Sequence, residues 1–110
     1  MNRLPMSPTA SALLRLLIAR GDVPRDRILL TGVQSIDWQS LTFVGERHQF
    51  NLRVCGEDSS AVAERMCAGL ADADFTIGGQ IVADIAAVGE PARAADGSTS
   101  IEIEALTIAE

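Results

Sequence analysis

The sequence predicts an α+β fold: a mostly antiparallel sheet of five to six strands with two helices packed on one face, in the order αβββαβββ. Three observations carry this prediction. Apolar residues recur at helical spacing in two separate stretches, beginning near Ala10 and near Val62. Between and after them the period changes toward 2, clearest over His48, Phe50, Leu52 and Val54. Two short helices cannot cover both faces of such a sheet, so the economical packing puts both on one face. The other face must then meet solvent, curl on itself or bury against another copy.

The first helix is announced by Ser7 as N-cap and Pro8 at the first helical position, where a missing N–H costs nothing. Ala10, Leu13, Leu14, Leu17 and Ile18 form one apolar stripe, giving an amphipathic helix of about thirteen residues. Arg15 and Arg20 lie off the stripe, and Arg20 suits the negative end of the helix dipole. Gly21 is expected to supply a left-handed stop, and Pro24 prevents resumption.

Ile28 to Thr31 reads as a short strand ended by Gly32. Ile36 and Trp38 alternate, as do Leu41 and Phe43, but the pairs are out of phase, so a bulge is expected near Gln39–Ser40. Val44-Gly45-Glu46-Arg47 reads as a hairpin turn into the His48–Val54 strand. Gly56 ends that strand, and Glu57-Asp58-Ser59-Ser60 brings capping side chains to a second helix from Ala61 to about Ala71. Its apolar face is Val62, Ala63, Met66, Cys67 and Leu70. A loop at 72–74, a short strand at Phe75–Ile77 and a Gly78-Gly79 turn follow. Gln80 to Val88 is interrupted only by Asp84, which predicts a central strand. Pro91 to Thr99, with Asp96-Gly97, reads as a hairpin loop. The last strand begins at Ser100; Ile101 and Ile103 face one way, Glu102 and Glu104 the other, and Leu106 and Ile108 reverse the pattern. An end this apolar is expected to be tied into the sheet or into a neighbouring subunit.

The 110 residues are expected to form one domain, with 1–6 as a flexible N-terminus. All nine basic residues are arginine, and with neither lysine nor tyrosine the chain lacks a Schiff-base lysine, a phosphate-loop lysine and a tyrosine acid. A net charge of −6 and four scattered aromatics argue against nucleic acid as a partner. No apolar run reaches the roughly 18 residues of a membrane span. Arg15 breaks the apolar patch near the N-terminus and no cleavage pattern follows, so the cytoplasm is the expected compartment. Cys55 and Cys67 fall outside any CxxC spacing; they read as reduced core residues, with a disulfide possible by count. No cofactor or metal is expected.

His48 is the one side chain able to exchange protons near neutral pH without a large shift, and it would be the first residue to mutate in an enzyme. Its phase with Phe50 and Leu52 instead predicts a satisfied core histidine. Glu102 and Glu104, two apart on one strand face, have a spacing that acid–base chemistry could use, with Asp84 as a conceivable third ligand for a cation. Alternating glutamates are also what a solvated strand face looks like. A weaker proposal is that these acids meet Arg47, Arg53 or Arg93 of a neighbouring subunit. Gly78-Gly79 precedes a strand, so it is not a nucleotide-binding loop. Trp38 reads as core or as an interface anchor.

The segments "GERHQFNLRVCG", "SSAVAERMCAGL", "FTIGGQIVADIAAV" and "ADGSTSIEIEALTIAE" together resemble the tail terminator and tail-completion proteins of tailed phages and gene transfer particles, over about residues 8 to 110. Val54-Cys55-Gly56 stands where that family has a tryptophan. The resemblance implies a non-enzymatic α+β subunit that forms a ring, caps a tail tube and contacts phage-type tail or neck proteins, as part of a phage-like particle. The candidate subunit interface is then Trp38, Phe43, Arg47, Arg53, Arg93, Glu102 and Glu104. The alternative is a stand-alone cytoplasmic α+β domain that dimerises or binds a small ligand.

Overall fold

The computed structural model describes residues 6–110. Helix α1 spans Pro8–Ala19, β1 Ile28–Gln39, β2 Val44–Val54, α2 Ser59–Cys67, β3 Gln80–Ala87, β4 Ala92–Arg93 and β5 Thr99–Ala109, with single 3₁₀ turns at Arg25–Arg27 and Leu70–Asp72. The expected flexible N-terminus lies almost wholly outside the described residues. All strand pairings are antiparallel, in the order β1-β2-β5-β3, with β4 also on β5. The fold is therefore the expected α+β sheet with both helices on one face, but two strands precede α2, because residues 28–39 form one strand and not two.

Helix α1 begins as its residues dictate: the Ser7 hydroxyl accepts from the Ala10 N–H at 3.1 Å, and Pro8 opens the helix. It does not stop as expected. The left-handed residue is Asp22 (φ 53°), whereas Gly21 keeps an ordinary φ. Gly21 is needed for closeness instead, since a Cβ there would stand 2.9 Å from Ile28 Cδ1 and 3.3 Å from Val62 Cγ1. Helix α2 ends at Cys67, four residues short of the expected end, and Gly69 takes the left-handed conformation (φ 62°) that turns the chain.

Residue pairing explains the phase changes seen in the sequence. Leu30 faces Leu52 and Gly32 faces Asn51, so Thr31 is the extra residue of a bulge. That bulge, not one at Gln39–Ser40, reverses the pattern. The β1–β2 turn is Ser40–Phe43, where Ser40 N–H donates to the Phe43 carbonyl at 2.8 Å, and Val44–Arg47 lies within β2. The expected strand at Phe75–Ile77 is reduced to a single bridge, Ile77 to Gln80.

Strand β3 is an edge strand and not the central one its apolar run suggested. The last strand, β5, inserts between β2 and β3 and takes the central place. Strand β3 also carries a bulge, between Val82 and Asp84, so both edge strands are broken by bulges that blunt their open ladders. Strand β5 is regular throughout. Leu106 and Ile108 therefore share a face with Glu102 and Glu104, while Ala105 and Thr107 continue the row of Ile101 and Ile103.

One core results. Leu13, Leu14 and Leu17 of α1 and Val62, Ala63 and Met66 of α2 pack on Phe50, Leu52, Val54, Ile101, Ile103 and Ile85. The rest of the sheet, its open face, carries no helix. By register that face holds Leu29, Ile36 and Trp38 on β1, Arg47, Gln49, Asn51 and Arg53 on β2, Ser100 to Ile108 in alternation on β5, and Ile81 and Asp84 on β3.

Candidate functional site

His48 is placed by β2 alternation on the core face, between Ser35 of β1 and Thr107 of β5. Its Nδ1 is 2.8 Å from Ser35 Oγ and its Nε2 is 2.8 Å from Thr107 Oγ1. Thr107 Oγ1 also reaches the Glu46 carbonyl at 3.5 Å, and either tautomer of the ring satisfies both hydroxyls. The ring stacks on Phe50, with centroids 6.0 Å apart. Burial holds the imidazole below its ordinary pKa, and the carboxylate of Glu46 opposes that only in part. The side chain is 1% exposed. A sealed imidazole with two hydroxyl partners and no carboxylate bonded to it is built to order three strands, not to exchange protons with a substrate. Ser35 and Thr107 were not legible in the sequence, because Ile36 beside the first and Leu106 and Ile108 beside the second read as the apolar phase.

The other candidate chemistry is dispersed. Among the described residues no three His, Cys, Asp or Glu side chains cluster where one ion could be held. Asp84 lies opposite Leu106, beside rather than against the Glu102–Glu104 pair. Cys55 and Cys67 are free thiols at the margin of the core rather than within it. Burial raises the Cys67 thiol pKa, against the pull of Arg20, which suits an unreactive thiol.

The interface candidates are mostly brought together. Trp38, Arg47, Arg53, Glu102 and Glu104 all fall on the open face by register. Trp38 is half-buried opposite Gly45 and takes no part in the core. Phe43 sits in the β1–β2 turn, beside that face's end. Arg93 stands apart: it pairs with Thr99, whose side chain is on the core face. Glu102 accepts from Gln49 Nε2 at 2.7 Å, across the β2–β5 seam. The one ion pair in direct contact among the described residues is Arg27 with Asp58; Arg47, Glu102 and Glu104 have none there, and Arg53 has only the longer-range attraction of Asp96.

Sequence reading missed the apolar end of this surface. Toward the hairpin end Ile36 (53% exposed) on β1 and Ile81 (51%) on β3 lie on the open face, Leu41 (104%) and Phe43 lie in the turn, and Val44 (58%) is on the opposite side, in phase with His48. An open depression of about 380 Å³ at that end is lined mostly by residues in phase with His48, among them Asp37, Val44, Glu46 and Ala109, so it belongs to the helix-bearing side and not to the open face. The signal was present in the out-of-phase pairs Ile36/Trp38 and Leu41/Phe43, which read as a bend and not as a face. Exposed apolar residues grouped this way mark contact surfaces. No helix is long and apolar enough to cross a membrane among the described residues.

Set against known protein families, characterised proteins and solved structures, the chain matches none.

Proposed function

We propose that this chain is a non-enzymatic structural subunit that assembles with copies of itself through the open sheet face and the sheet edges. The observation that supports this is the exposure of Ile36, Leu41, Phe43 and Ile81 toward the hairpin end of the open face, outside the core. Burying what remains exposed of each is worth on the order of 1 kcal/mol, since all but Leu41 are already about half covered within the chain. The edges β1 and β3 supply main-chain groups for side-by-side contacts. A ring of the tail-terminator kind, meeting phage-type tail or neck proteins, is the assembly that the sequence resemblance favours.

Light scattering coupled to size exclusion tests the reading. The expected result is a mass several times that of the chain at micromolar concentration, reduced toward the monomer by Ile36→Glu with Ile81→Glu, with the circular dichroism spectrum unchanged. A wild-type protein that stays monomeric into the high micromolar range would refute it.

A further inference from the structure

Resting on that reading, we infer that the open faces of two copies pack together about a two-fold axis parallel to the strands along the β2–β5 seam. The occupant of the face is thus a second copy of this chain, and the contact is sorted by charge. On this face β2 presents Gly45 followed by four side chains that can donate hydrogen bonds, Arg47, Gln49, Asn51 and Arg53, whereas β5 presents Ser100, Glu102 and Glu104 before its apolar end. A rotation about the seam lays β2 of one copy on β5 of the other while keeping each residue at its own height along the strands.

The register then determines what meets what. Gln49 pairs with Glu104 and Asn51 with Glu102 within the chain. Across the axis, Gln49 and Asn51 therefore face the partner's Glu104 and Glu102, with Arg47 and Arg53 one step beyond at either end. One step is about 7 Å along a strand, within reach of a guanidinium. Each acid row, which has no ionic partner among the described residues, is bracketed by two arginines, and the match occurs twice because the contact is isologous.

At its outermost row the apolar end is complementary under the same rotation, whereas one step inward Ile36 meets the partner's Asp84 and Leu106 the stem of the partner's Arg47. Trp38, Gly45, Ile108 and Ile81 share one height across β1, β2, β5 and β3. The axis places Trp38 over the partner's Ile81, and Ile108 over the partner's Gly45, where no side chain stands. Four strands at about 4.8 Å spacing and some eleven residues of rise give a face of roughly 19 by 35 Å, or about 650 Å². That is close to the approximately 800 Å² per partner of a standard stable interface. The edges β1 and β3 stay uncovered by such a pair and free for ring contacts.

The test is reversal and rescue of charge in the full chain, read as mass by light scattering. Arg47→Glu with Arg53→Glu is expected to weaken the pair at least tenfold, and Glu102→Arg with Glu104→Arg to do the same. An equimolar mixture of the two doubly substituted proteins is expected to recover the mass lost by each alone, because every reversed row then meets its opposite. An oligomer that ignores both reversals, or a mixture that recovers nothing, would overturn the face pairing and leave assembly through the edges standing. A wild-type monomer at all concentrations would overturn both.

Discussion

Arg20 and Arg65 brace the ends of the two helices against each other. Arg20 Nε donates to the Met66 carbonyl at 2.8 Å and its Nη2 to the Ala68 carbonyl, while Arg65 Nε and Nη2 donate to the Gly21 carbonyl at 3.1 and 2.6 Å. Each guanidinium thus binds the carbonyls that the other helix leaves open at its C-terminal end, where the dipole is also negative.

Arg20→Ala and Arg65→Ala are each expected to lower stability by about 1–3 kcal/mol, since carbonyls lose charge-assisted donors. The double variant is expected to cost less than the sum, because both single losses loosen the same helix–helix junction. Urea denaturation of the four proteins measures the cycle. Arg20→Lys is expected to recover only part, as a single ammonium cannot reproduce the two-pronged contact.

His48 is held neutral by burial, so the unfolded chain takes up its proton at a higher pH than the folded one. Stability from this group is complete above the unfolded value near 6.5 and falls as pH drops through it, levelling off below the depressed folded pKa. Thermal melts from pH 7.5 to 5.5 are expected to show this loss in the wild type and a smaller one in His48→Gln. His48→Ala is expected to cost about 2–4 kcal/mol, through the cavity and the stranded hydroxyls of Ser35 and Thr107.

Gly45 lies where β2 and β5 approach closely, and a Cβ there would overlap the Thr107 carbonyl. Gly45→Ala forces backbone to move, so a loss of about 1–3 kcal/mol in chemical denaturation is expected, without change in the denaturant slope.

Ser59 carries the loop before β5. Its hydroxyl donates to the Gly97 carbonyl at 2.6 Å and lies 2.7 Å from Thr99 Oγ1, all buried beneath the start of α2. Ser59→Ala leaves both partners short of a hydrogen bond and is expected to cost about 1–3 kcal/mol. Amide exchange in residues 94–98 is expected to speed up as well, which separates loop release from general destabilisation.

Capping side chains for α2 are expected from Glu57-Asp58-Ser59-Ser60, and of these Asp58 comes nearest the role. It stands at the N-cap position but gives no cap hydrogen bond; its carboxylate binds Arg27, whose guanidinium holds its pKa low. Arg27 itself is anchored on the Cys55 carbonyl at 2.8 and 3.0 Å. A long-range cation thus holds the carboxylate that would otherwise cap the helix.

What the residues alone determined are the features whose cause is local. The start of α1 at Ser7-Pro8, the buried stripe of Leu13 and Leu17, the His48–Val54 alternation and the apolar face of α2 each follow from neighbours within a few positions, where steric and solvation preferences act without help from the rest of the chain. What only the tertiary structure decided depends on distant partners. Thr31 becomes a bulge because β1 must keep Leu30 on Leu52 and Val33 on Phe50. Strand β3 becomes an edge because β5 takes the place beside β2. Trp38 leaves the core for the same reason that Ser35 enters it: pairing with β2 assigns each residue a side of the sheet, and a two-residue period lets one distant constraint determine them all.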